Sequence, residues 1–230
     1  MRYVLLDEIG HGASGRVHVG WDRAERRYVA VKVPHAGPAH AGWCLEHPHV
    51  LPHLVADDLV VMPLIRGGSL LELRAEQGRL PEAYVAVVLD QLLQALVAVH
   101  AVGVVHRDVK PANLLLDATG SGRPHLRLAD FGDETTIGTR GYLAPEREEG
   151  APAHPSQDVY SAGVLVRRLL EVPGPLSTLA DSMTRADPGL RPTAAQALAR
   201  MRSLPVPRGG SWPHVPDRIG MSPVRRRLVP

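Results

Sequence analysis

The first third of the chain alternates apolar and polar positions, and the rest repeats them at helical spacing. Tyr3-Val4-Leu5-Leu6-Asp7-Glu8-Ile9 opens the chain as an alternating run, and the same reading gives strands at about 3–9, 16–21 and 28–33. Asp22-Arg23-Ala24-Glu25 supplies the turn between the last two, and residues 51–56 and 59–62 read as a hairpin around Asp57-Asp58. Helices then dominate. Ser69-Leu70-Leu71-Glu72 is a capping box, in which Ser69 accepts from an early backbone N–H and Glu72 reaches back. Val85, Val88, Leu89, Leu92, Leu96 and Val99 recur on one helical face, with Pro81 fitting the first turn and Gly103 the end. Asp90, Gln91, Gln94 and His100 interrupt this stretch, so it reads as a helix buried in a lobe and not as a membrane span. Further helical runs cover about 158–171, 176–186 and 193–202.

Composition narrows the class. In 230 residues, 44% are hydrophobic and 22% charged, as in a folded globular chain able to bury a core. A net charge of +2 gives no reason to expect a nucleic-acid partner. One cysteine, Cys44, excludes an internal disulfide framework and points to a reducing, cytoplasmic setting, and no targeting segment is read at the start of the chain. The last 28 residues hold six prolines, five arginines and one aspartate, hence +4 against −2 for the body. They read as an exposed basic tail, whose Val224-Arg225-Arg226-Arg227 is a candidate contact for acidic lipid or a partner.

Residue usage then singles out a constellation. Of 26 basic residues only Lys32 and Lys110 are lysines, and Asn113 and Phe131 are the sole asparagine and phenylalanine, a bias expected of a GC-rich bacterial genome. Lysine kept in two places argues for a compact ammonium that must reach a phosphate. Gly10-His11-Gly12-Ala13-Ser14-Gly15-Arg16-Val17 fits a G-x-G-x-x-G-x-V loop whose backbone N–H groups can cradle phosphates. A strand follows it, whereas a dinucleotide fingerprint would open a helix. Val29-Ala30-Val31-Lys32 ends a strand with an ammonium suited to phosphate oxygens. In His106-Arg107-Asp108-Val109-Lys110-Pro111-Ala112-Asn113, Asp108 can take a hydroxyl proton, Lys110 can neutralise a phosphoryl group, and Asn113 offers an amide oxygen to Mg²⁺. Asp130-Phe131-Gly132 adds the anionic metal ligand, Asp130.

With these motifs in order, the chain resembles the bacterial eukaryotic-like (Hanks-type) Ser/Thr protein kinases from about residue 3 to 201. The resemblance continues through Gly138-Thr139-Arg140-Gly141-Tyr142-Leu143-Ala144-Pro145-Glu146, Asp158-Val159-Tyr160-Ser161-Ala162-Gly163 and Asp187-Pro188-Gly189-Leu190-Arg191-Pro192. It implies an α+β, two-lobed fold: a kinase domain over 1–202, with a β-rich lobe over about 1–62 and a mostly helical lobe over about 66–202, then a tail over 203–230. It implies phosphoryl transfer from ATP with Mg²⁺ (or Mn²⁺) to a protein Ser/Thr hydroxyl, autophosphorylation included. ATP would lie against Ile9 to Val17, Ala30 and Lys32, with Met62 as gatekeeper, the backbone of Pro63 and Ile65 at the adenine edge, and Leu115 beneath. Asp158 would brace the catalytic-loop backbone, Arg191 would pair with Glu146, and Thr139 would contact substrate.

The sequence departs from that family in several places. Only fourteen residues, broken by Pro34, Gly37, Pro38 and Gly42, separate Lys32 from His47-Pro48, too few for a full helix C. Either Glu46 replaces the missing helix glutamate or Lys32 lacks that partner. The substrate-docking helix region between Gly163 and Arg191 is short. Arg107 would meet a phosphothreonine in the family; here Asp133 or Glu134 can supply the charge, and Thr135 and Thr136 are candidate phosphosites. Arg66 stands where relatives carry an acidic ribose contact. His35, His40, His47, His49 and His53 fit no ligand spacing and read as solvated loop residues. A nucleotide-binding pseudokinase and a small-molecule phosphotransferase remain as alternatives.

Overall fold

The computed structural model describes residues 1–12, 15–35, 45–132, 136–207 and 209–220. An antiparallel five-stranded sheet, ordered β1-β2-β3-β5-β4, is built from β1 (Tyr3–Gly12), β2 (Gly15–Asp22), β3 (Arg27–Pro34), β4 (Leu54–Ala56) and β5 (Leu59–Pro63). The Asp22 carboxylate closes the β2–β3 turn by accepting from the N–H groups of Ala24 and Glu25. Asp57 and Asp58 both take left-handed φ values, 51° and 62°, as a two-residue hairpin requires.

Register decides what the sheet presents. Val17 pairs with Lys32 and Ala30 with Met62, so these four side chains share one face. Tyr3, Val29, Val31 and Val61 form a small buried cluster on the other face. β1 pairs through Gly12, three residues beyond the predicted strand end.

The helical part follows: α1 (Leu70–Gln77), α2 (Glu82–Ala101), the hairpin β6 (Leu114–Leu116) and β7 (Leu126–Leu128), α3 (Pro145–Glu148), α4 (Pro155–Leu169), α5 (Pro175–Met183) and α6 (Ala194–Ser203). The capping box at Ser69 forms in full. α2 is long and apolar enough to cross a membrane by length and composition, but most of it is buried at the centre of the main core, among residues such as Leu165, Leu176 and Ala197. α4 and α5 cross closely at Gly163, where a Cβ would lie 2.8 Å from Thr184 Cγ2 and 2.9 Å from Met183 Cβ.

Two sequence expectations need correction. Among the described residues of 204–220 the segment is not exposed throughout: Val206 and Val215 are buried, Trp212 packs against Tyr84, and Val215 exchanges two backbone hydrogen bonds with Gly120 at 2.8 and 3.0 Å. Apolar side chains spaced between the prolines drive that docking, which a composition count passes over. His49 is not solvated either. It is buried, its Nδ1 lies 3.0 Å from the Leu126 carbonyl, and its ring contacts those of His47 and His125. The broken stretch at 36–44, expected to preclude a full helix, lies outside the described residues.

Candidate active site

The loop at 106–113 is held from below by one carboxylate. Asp158, buried on the first turns of α4, accepts from the backbone N–H of His106 at 2.8 Å and of Arg107 at 2.9 Å, and lies 2.8 Å from His100 Nε2. These bonds fix a turn in which Arg107 sits in the left-handed region, φ 72°. The fully buried His106 ring spans the loop: Nε2 lies 3.0 Å from the Ala129 carbonyl, and Nδ1 accepts from the Asp108 N–H at 3.2 Å. Those partners require the neutral tautomer with hydrogen on Nε2, and burial depresses the pKa, which keeps the ring uncharged. The Phe131 ring packs against it, tilted by 51° with centroids 4.4 Å apart. The sequence reading gave His106 no role; its place between two motifs is a tertiary fact.

Around this turn the functional groups converge. Lys110 Nζ lies 2.7 Å from Asp108 Oδ2 and donates to Thr139 Oγ1 at 2.8 Å, while Thr139 donates to Asp108 Oδ1 at 2.7 Å. Asn113 Nδ2 donates to the Asp108 carbonyl at 2.9 Å and to Oδ2 at 3.3 Å, which leaves the amide oxygen as the group to offer a cation. The Ala129 N–H bonds the Asn113 carbonyl at 2.9 Å, so Asp130 follows directly beside Asn113. Asp130 takes φ 58° and forms an ion pair with Lys32, reaching across from the sheet. Lys32 is thus paired with Asp130; Glu46 is exposed and makes no ion pair with it among the described residues. All the donors are hard oxygens, the set Mg²⁺ prefers. Among the described residues no group of three His, Cys, Asp or Glu side chains is placed to hold a metal.

The structure places the other expected residues as follows. Gly10, His11, Gly12, Gly15, Arg16 and Val17 form the β1–β2 hairpin; Ala13 and Ser14 lie outside the described residues. Met62 and Pro63 end β5, Ile65 follows in the linker, and Leu115 in β6 is bridged to Ser69. Arg191, its side chain fully buried, forms a bidentate pair with Glu146, both bonds 2.7 Å. Thr136 packs beside Gly132, and its carbonyl accepts from Arg147 at 2.9 Å. Asp133, Glu134 and Thr135 lie outside the described residues; Arg107 Nε is buried and has no hydrogen-bond partner among the described residues. Arg66, read as lacking a ribose role, pairs instead with Asp217 at 2.6 Å.

Comparison with known proteins bears on the family and the fold. Residues 55–180 match the protein kinase domain family. The chain is 43% identical over 204 residues to serine/threonine-protein kinase PkaB of Streptomyces coelicolor, covering 74% of this chain and 48% of that protein. It is 35% identical over 199 residues to serine/threonine-protein kinase PknL of Mycobacterium tuberculosis, covering 74% and 49%. The chain therefore spans about half the length of these relatives. The crystal structure of Rad53 1–466 in complex with AMP-PNP superposes with a TM-score of 0.74 at 23% identity, covering 86% of this chain and 64% of that one. Its likeness shows the two-lobed fold. The family match spans more than half of the chain, so the chain belongs to the protein kinase domain family.

Proposed function

We propose that this domain is a Ser/Thr protein kinase that transfers the γ-phosphoryl group of Mg·ATP to a protein hydroxyl. The observation that carries the reading is the triad of Asp108, Lys110 and Thr139. Asp108 already accepts a hydroxyl hydrogen at 2.7 Å, and the Lys110 ammonium stands 2.7 Å from the same carboxylate. A substrate Ser or Thr presented there would lose its proton to Asp108 as its oxygen attacks the γ-phosphorus; the bond from that phosphorus to the β–γ bridging oxygen would break and ADP would leave, while Lys110 offsets charge on the transferring group. Lys32, projecting from the sheet face it shares with Val17, Ala30 and Met62, would bind α- and β-phosphate oxygens once exchanged from Asp130. The adenine would lie against Val17, Ala30 and Leu115, with its edge on the backbone of Pro63 and Ile65 and its phosphates under the hairpin from Ile9 to Val17. Asn113 and Asp130 would hold Mg²⁺, which would supply positive charge to offset that of the phosphates. Positioning and charge supply most of the acceleration, since little covalent chemistry is asked of the protein.

Family membership and the Ser/Thr kinase names of the relatives support the reading. A single cysteine supports a cytoplasmic setting for this domain. The test is incubation of the 230-residue chain with Mg·ATP and a panel of protein substrates, read by mass spectrometry beside Asp108→Asn. Phosphate on Ser or Thr, absent with the variant at unchanged nucleotide affinity, is the expected result. Nucleotide binding without transfer by the parent protein, or transfer to a metabolite alone, would overturn it.

A further inference from the structure

We infer that residues 212–219 form a strap that braces the linker between the sheet and α1, and that Arg218 is thereby a positioning residue for the nucleotide. This rests on the kinase reading above, because the braced backbone follows directly on Pro63–Ile65.

Three consecutive linker carbonyls are committed. The Arg218 N–H bonds the Arg66 carbonyl at 2.8 Å, Arg218 Nε bonds the Gly67 carbonyl at 2.9 Å, and the Leu116 N–H bonds the Gly68 carbonyl at 2.8 Å. Two of the three acceptors are thus satisfied by one strap residue. The Arg218 guanidinium then turns to α1 and grips both Glu76 carboxylate oxygens, NH2 to Oε2 at 2.8 Å. One step before it, Asp217 pairs with Arg66 at 2.6 Å. The strap's far end is anchored by the Gly120–Val215 bridge and by Trp212 on Tyr84.

The linker is shaped to receive this segment. A Cβ on Gly67 would fall 2.3 Å from the Leu116 carbonyl oxygen and 2.7 Å from Val215 Cγ1. Gly68, at φ 76°, would place one 2.5 Å from Arg218 Cδ. Two adjacent glycines leave the gap that the strap fills. A flexible double glycine just after the adenine edge would otherwise be free to shift the backbone groups at Pro63 and Ile65, and holding it costs less on binding when it is already ordered.

The experiment uses the full chain and the variants Arg218→Ala, Arg218→Lys and Asp217→Asn. Amide hydrogen exchange over residues 64–70 is measured without nucleotide, alongside KM for ATP and kcat. With Arg218→Ala, exchange in the linker should speed up and KM should rise roughly threefold or more, with kcat at saturating ATP changing less. Arg218→Lys keeps the charge toward Glu76 but cannot also bond the Gly67 carbonyl, so it should fall between parent and Ala; Asp217→Asn should give the smaller loss of a single pair. Unchanged linker exchange in Arg218→Ala, or faster exchange with an unaltered KM, would overturn the inference. If the parent chain neither binds ATP nor transfers phosphate, the kinase reading fails by itself, while the exchange data still show whether the strap braces the linker.

Discussion

Asp158 and Arg107 are joined by a 2.9 Å bond from the Arg107 N–H to Oδ1, and this bond holds Arg107 in a left-handed conformation that an arginine adopts only under constraint. The same carboxylate takes the His106 N–H on its other oxygen. Asp158→Ala would strand both donors, each at about 1–3 kcal/mol where buried, and would release the turn that carries Asp108. Denaturant unfolding should show the larger loss for Ala and a smaller one for Asp158→Asn, which keeps one acceptor. Equal stability for all three proteins would show that the turn is held by something else.

Glu146 and Arg191 form the other internal tie, between the chain just before α4 and the segment preceding α6. Arg191 also donates to the carbonyls of Arg185 at 2.7 Å and Ala186 at 2.9 Å, and its guanidinium lies 4.8 Å from the Tyr160 ring centroid. Its charge is fully desolvated, so removing the partner costs more than the pair itself contributes. Glu146→Ala should destabilise by about 3–5 kcal/mol, seen as a lower urea midpoint at unchanged slope. A loss below about 1 kcal/mol, the range of exposed pairs, would contradict the burial argument.

Local rules and tertiary facts divide what was readable in the sequence. Ser69 and Glu72 announce a helix start because both partners sit within four residues, and β2 and β3 announce themselves by alternation around the Asp22 turn. The motifs around Asp108 and Asp130 could be aligned because each is a short contiguous loop. By contrast, the Lys32–Asp130 pair joins residues 98 apart, and no spacing rule selects Asp130 over Glu46. His106 on Phe131 and His49 on His125 are contacts between loops, invisible to periodicity. The strap is hidden in the sequence for a related cause. Six prolines and a basic excess look like a solvated end, and only the third dimension shows that Val206, Trp212 and Val215 meet apolar surface.

Burial sets a pH dependence. Desolvation holds His106 below its ordinary value of 6.5, and His47, His49 and His53 are lowered for the same reason. Below pH 6.5 the unfolded chain therefore binds protons that the folded chain refuses. Stability is complete above that value and should fall as pH drops beneath it. Urea unfolding between pH 7.5 and 5 should show this decline, and His106→Gln should flatten part of it. A second decline belongs to Asp22, whose carboxyl the Arg2 guanidinium holds down to about 2; that contribution is lost as pH falls from about 4 toward 2. A flat profile from pH 7.5 to 5 would mean that the buried rings take up protons as readily as exposed ones.

Thr139 ties Asp108 to Lys110: among the described residues its hydroxyl is the only atom bonded to both. It donates to the carboxylate and accepts from the ammonium, so it sets the separation and tilt of the two groups that would handle the proton and the phosphoryl charge. Thr139→Ser keeps that hydroxyl. Thr139→Val keeps the shape, removes the oxygen, and leaves the Asp108–Lys110 pair to choose its own geometry. If positioning is what the hydroxyl supplies, Val should lose up to about 100-fold in kcat/KM for a protein substrate. Ser should stay near the parent, and ATP affinity and urea midpoint should hold for both. Equal turnover for Val and Ser would assign Thr139 to packing alone, and a faster Val variant would mean that the hydroxyl competes with the substrate for Asp108.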